Sequence, residues 1–158
     1  MDAEDRKRTL RAFTYGLYVV GCRHGDDANA FTANWCTQIS FDPPLLALSV
    51  EKDSHSIGLI RTSGKFTVSV LPSGERGLAG LLGKPWARVP DKLRQIDSFD
   101  APNGCPVPRI ALGYVECAVR GECDAGDSVV VVADVVGARW LGDGEPLTMA
   151  EAGFKHAG

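Results

Sequence analysis

Lys52-Asp53-Ser54-His55-Ser56 places a cation and hydroxyls at the start of a helix in this 158-residue chain, groups that could hold an anion. Helical spacing resumes at once over residues 57–61, Asp53 or Ser54 is a suitable N-cap, and Gly64 is a suitable stop. A helix starting there leaves the backbone N–H groups of Ser54, His55 and Ser56 without intrahelical acceptors. With the helix dipole behind them and the Lys52 ammonium beside them, they suit a phosphate, and the Ser54 and Ser56 hydroxyls add donors. The same residues have a plainer use, with Ser54 only capping the helix and Lys52 solvated. Just upstream, residues 31–40 (FTANWCTQIS) alternate loosely and are polar at several positions, as a strand beside a ligand is.

Other chemistries are excluded by spacing. Residues 77–83 are glycine-rich but spaced GxxGxxG with no strand leading in, which is no dinucleotide fingerprint. Gly83-Lys84 lacks the first glycine and the Ser/Thr of a P-loop, and no GxSxG elbow occurs. His24, His55 and His156 stand far apart without a second ligand at metal spacing, so no metal site is expected. The five cysteines include no CxxC pair, which predicts buried reduced thiols rather than a disulfide framework or zinc knuckle. A net charge of −3 provides no basic field for nucleic acid or an anionic membrane. No apolar run approaches the roughly 20 residues of a membrane span, and charged residues 1–13 lack the apolar stretch of a secretory signal. These features predict a cytoplasmic protein that binds neither nucleic acid nor membrane.

The elements that must position these groups are mostly strands. Residues 2–12 read as a short amphipathic helix. Strands are expected at 14–22, 31–40, 45–50, 66–71, 110–123 and 128–140, separated by turn residues such as Asp42-Pro43-Pro44 and Asp124-Ala125-Gly126-Asp127. The stretch 72–108 is rich in Gly and Pro, with short helices near 77–82 and 91–96. Eighteen glycines and nine prolines fit a turn-rich β protein better than a helical bundle. The expectation is a mainly β fold, a six-stranded antiparallel Greek-key split β-barrel with a few short helices, formed as one domain over residues 1–158.

Read as one unit, residues 30–56 resemble the flavin reductase-like, FMN-binding split barrel family. The likeness lies in the small-polar run Thr32-Ala33-Asn34-Trp35-Cys36-Thr37-Gln38-Ile39-Ser40, the Asp42-Pro43-Pro44 turn, and Ser49-Val50-Glu51-Lys52 closing an apolar strand. It continues through residues 63–71 (SGKFTVSVL) and Val115-Glu116-Cys117 to Gly126-Asp127-Ser128, covering residues 10–140. The resemblance implies that Ala33, Asn34, Trp35, Cys36 and Thr37 line the isoalloxazine through their backbone. It further implies that Ser49, Val50, Glu51 and Lys52 follow the ribityl chain and phosphate, with Ser54, His55 and Ser56 completing the phosphate site.

Many members carry Gly-Asp-His where this chain has Gly126-Asp127-Ser128. Thr37 and Ser128 are then the polar neighbours expected beside a stacked nicotinamide. Cys36 is expected to be an inert buried thiol rather than a reactive one. The implied activity is an NAD(P)H-dependent flavin reductase with FMN, using NADH or NADPH. The alternatives are a flavoredoxin-like electron carrier served by a protein donor and a non-redox ligand-binding barrel. A homodimer is implied, as is a partner monooxygenase or electron-transfer protein.

Overall fold

The computed structural model describes residues 1–158. In chain order the elements are α1 (Ala3–Arg11), β1 (Tyr18–His24), β2 (Asp27–Ala33), β3 (Cys36–Phe41), β4 (Pro44–Glu51), α2 (His55–Ser63) and β5 (Lys65–Val70). There follow α3 (Arg76–Leu82), a 3-10 turn (Lys92–Gln95), β6 (Ser98–Asp100), β7 (Pro106–Pro108), β8 (Gly113–Ala125), β9 (Ser128–Trp140) and α4 (Met149–Ala152). Seven strands form one antiparallel sheet in the order β2-β1-β5-β8-β9-β4-β3, and β6 and β7 make a separate hairpin.

The mainly β fold agrees with expectation, but the main sheet has seven strands rather than six. Residues 31–40 are not one strand: they bend at Asn34-Trp35, and β2 and β3 lie on either side of the bend. Those two strands are the opposite edges of the sheet, yet two residues join them. The three Cα steps from Ala33 to Cys36 reach only about 10–11 Å when extended, so the sheet has to curl until its edges nearly meet. The Trp35 carbonyl stitches the corner by accepting from Ser49 N–H on β4, at 2.9 Å.

Inside the curl lies a core of Val20, Cys22, Leu48, Phe66, Cys117 and Val131, closed at one end by Ile57 and Ile60 of α2. Because side chains alternate along a strand, Val19 points the other way from Val20. It joins an outer cluster with Leu17, Leu71, Leu82 and Leu147, over which α3 and α4 lie. Gly21 continues that outward face. A Cβ there would stand 1.9 Å from the Pro106 carbonyl oxygen, so backbone meets backbone where β1 crosses β7.

Helix α2 starts and stops as its sequence dictates. Ser54 Oγ accepts from Ile57 N–H at 3.3 Å, and Gly64 at φ 70° closes the helix with its N–H donating to Ile60 O. A left-handed stop of this kind costs glycine nothing sterically.

Candidate functional site

A cavity of about 950 Å³ opens beside the barrel corner. Its inner wall comes from regular elements: Ala33-Asn34-Trp35 at the bend, Ser49-Val50-Glu51 at the end of β4, and the first turn of α2. Its outer wall is irregular chain, residues 84–88 after α3 and Phe154 and His156 after α4. That volume lies at the upper end of small-molecule sites, and the lining mixes apolar surface with a few fixed polar groups.

At the α2 end, Asn29 Nδ2 of β2 donates to Ser56 Oγ at 2.8 Å, with both residues buried. The serine hydroxyl accepts that bond and is also a hydrogen-bond neighbour of the buried Cys22 thiol. The backbone N–H groups of the first helical turn add donors. His55 Nε2 lies 3.0 Å from Asp27 Oδ2, and its ring stacks on Trp86, with centroids 4.0 Å apart and planes 14° from parallel. Arg88 and Lys84 supply positive charge on the outer wall, while Glu51 and Asp53 line the same space with negative charge.

At the corner, Asn34 Nδ2 donates to the His156 carbonyl at 3.0 Å and lies 3.1 Å from Met149 Sδ. The His156 ring approaches Trp35 at 5.3 Å between centroids. This end offers aromatic and backbone surface suited to a flat heteroaromatic ring.

Of the residues singled out from sequence, Ala33, Asn34, Trp35, Ser49, Val50, Glu51, Ser54, His55, Ser56 and Ser128 all line the cavity. Cys36, Thr37 and Lys52 do not. Thr37 is exposed on edge strand β3, its hydroxyl bonded to the adjacent Gln38 carbonyl at 3.3 Å. Ser128 sits opposite Glu51 in the β4–β9 register and bonds Asp127, so the structure does not bring Thr37 and Ser128 together. Lys52 turns to an ion pair with Asp124 on β8 and directs its charge away from the cavity. Burial of the half-buried Cys36 pushes its thiol up to about 12, which keeps it protonated at neutral pH.

Sequence reasoning missed Asn29, Trp86, Arg88, Lys92 and the segment 154–156. The signal available was the clustering of Lys84, Trp86 and Arg88 in an otherwise Gly/Pro-rich stretch, where no periodicity pointed to them.

The flavin reductase like domain matches residues 10–158, nearly the whole chain. The chain belongs to that family. Among solved structures, the flavin reductase component of a bacterial two-component tryptophan halogenase superposes with a TM-score of 0.83 at 31% identity, covering 96% of this chain and 95% of that one. The NADH:FAD oxidoreductase of Streptomyces globisporus C-1027 gives a TM-score of 0.84 at 27% identity, covering 94% and 90%. A putative diflavin flavoprotein of Nostoc sp. is 37% identical over 75% of this chain, which is 21% of its own length. The chain spans between 21% and 63% of the length of the first curated relatives it matches. Its cavity has an aromatic, backbone-lined end at the corner and an end rich in hydrogen-bond donors at the start of α2. No helix of the chain is long and apolar enough to cross a membrane.

Proposed function

We propose that residues 1–158 act as one FMN-binding unit that reduces flavin with NADH or NADPH. The observation carrying this reading is the pairing of the Asn29–Ser56 donor with the start of α2, at the far end of the cavity from the Asn34-Trp35 corner. The donor set fits a phosphomonoester, because the Ser56 hydroxyl and the helix-start N–H groups not taken by the Ser54 cap lie together at the start of α2, with no buried carboxylate among them.

Bound there, FMN supplies two-electron acceptance of a nicotinamide hydride. The chain's own residues bind and orient. Ser56, held by Asn29, and the α2 N-terminus take the phosphate, with Arg88 supplying charge from the outer wall. Ser49 and Val50 flank the ribityl chain, and the backbone of Ala33 to Trp35 meets the polar edge of the ring. Hydride transfer asks chiefly for close stacking, so no general acid or base is assigned.

A second reading, electron carriage to another redox module, is supported by relatives in which the matching segment is one part of a longer diflavin protein. We further propose a homodimer. Edge strand β3 exposes Ile39 at 49% and Phe41 at 91%, and β9 exposes Val136 at 64% near the same end of the sheet. Burying such apolar surface favours association. The five free thiols suit a reducing, cytoplasmic setting.

The deciding experiment is the visible spectrum of protein reconstituted with FMN, before and after anaerobic NADH and NADPH. A flavin spectrum that bleaches supports reduction and ranks the donors. A spectrum that persists moves the activity to electron carriage, and failure to retain flavin defeats the proposal.

A further inference from the structure

Residues 83–91, the strap between α3 and the 3-10 turn, carry Trp86 and Arg88 to the cavity but contribute nothing to any sheet. Their backbone bonds are short-range, such as Lys84 N–H to Leu81 O and Arg88 N–H to Pro85 O. Two ties hold the strap, one to α2 and one across its own base. One is the Trp86–His55 stack at its middle. The other is Lys92, whose Nζ donates to Leu82 O at 2.9 Å and to Lys84 O at 2.8 Å.

Lys92 is only 2% exposed, an unusual place for an ammonium, and it lines the cavity from beneath the strap. Its two acceptors stand at the C-terminal end of α3, where carbonyls lack intrahelical partners and carry the negative end of the helix dipole. The charge is therefore placed where it holds the last turn of α3 and the first residues of the strap together. Burial lowers the ammonium to about 8, and a leucine or methionine would fill the space without that penalty, so packing alone does not account for a lysine here.

We propose that Lys92 is a positioning residue for the nucleotide site, clamping the strap so that Trp86 and Arg88 form the wall at the phosphate end of the cavity. It acts through the strap and does not itself contact the reacting atoms. The proposal rests on the flavin reading of the cavity for its ligand, and on the Lys92 bonds and the Trp86 stack for its geometry.

The test combines FMN titration with a double-mutant cycle and proteolysis of the strap. Lys92→Met is expected to weaken FMN binding about tenfold, with the loss falling on KM for FMN more than on kcat, and Lys92→Arg to recover most of it. Trp86→Ala and Lys92→Met should be non-additive, because either one releases the same strap. Tryptic cleavage after Arg88 in the flavin-free protein should be faster in Lys92→Met than in wild type. Lys92→Gln, which removes the charge and keeps only the two N–H donors of a shorter neutral amide, is read the same way if the Met variant fails to fold. Unchanged FMN affinity, additive losses in the cycle, or equal cleavage rates overturn the clamp. Wild-type protein that binds no FMN overturns the flavin reading instead, and the flavin-free cleavage rates still judge the clamp.

Discussion

The two walls of the cavity are built on opposite principles. The inner wall is backbone in a ladder: Ser49 to Glu51 pair residue by residue with Val130 to Ser128, and the corner is tied by the Trp35–Ser49 bond. Its position is shared among many long-range bonds, so no single side chain decides it. The outer wall hangs on discrete contacts, namely the Trp86 stack and Lys92 for the strap and Asn34 for the 154–156 segment. A site with one distributed wall and one pinned wall keeps a fixed template on one side, while single substitutions can adjust the other. Local stability follows the same division, being highest where contacts are dense.

The largest expected effect lies in the distributed wall. Leu48 is fully buried under the cavity floor on β4, and Leu48→Ala should cost about 2–5 kcal/mol of folding stability, measured by urea denaturation. A loss under about 1 kcal/mol would mean the floor relaxes as readily as the strap. Next is Ser56→Ala, which leaves Asn29 Nδ2 buried without its acceptor. The expected cost is about 1–3 kcal/mol, together with weaker FMN binding in the same titration.

Alkaline pH separates the walls by sign. Burial pushes the thiols of Cys22, Cys36 and Cys117, in or against the barrel core, from 9.0 up to about 12. Above pH 9 the unfolded chain releases these protons while the folded chain keeps them, so the stability they confer is lost as pH rises toward 12. Lys92 works the other way. Its ammonium falls from 10.5 to about 8 on folding, so between those values the unfolded chain holds the extra proton and stability rises with pH. Melting temperature should therefore climb from about pH 8, peak near about pH 9 and then fall. Lys92→Met should abolish the climb and leave the fall.

The smallest effect is expected at the residue that sequence favoured as the phosphate cation. Lys52→Ala removes an exposed pair with Asp124 and should leave FMN affinity within about twofold. Arg88→Ala should weaken FMN binding several-fold and flatten its dependence on salt. The reverse ranking would put the phosphate on the far side of α2.

These contrasts also explain what could be read from residues alone. The apolar run of β4, the alternation of β5 and the Ser54 and Gly64 signals of α2 are local, and each was legible because its cause lies within a few residues. The bend at Asn34-Trp35 was not, because nothing in FTANWCTQIS breaks a strand as proline would; the bend follows from closing a curled sheet. Lys52 was misdirected for the same reason, since its partner Asp124 is 72 residues away. The strap lacks periodicity because it packs through one ring and one ammonium, neither of which leaves a repeat in the sequence.

Gly21 carries a consequence of another kind. With the Pro106 carbonyl 1.9 Å from where a β-carbon would sit, even alanine forces two backbones apart where β1 crosses β7. In a saturation library selected for flavin binding, this position should therefore return glycine almost alone, whereas Trp86 and Arg88 should return several substitutes. The pattern of survivors would trace, without any ligand in view, which parts of the pocket are frame and which are adjustable.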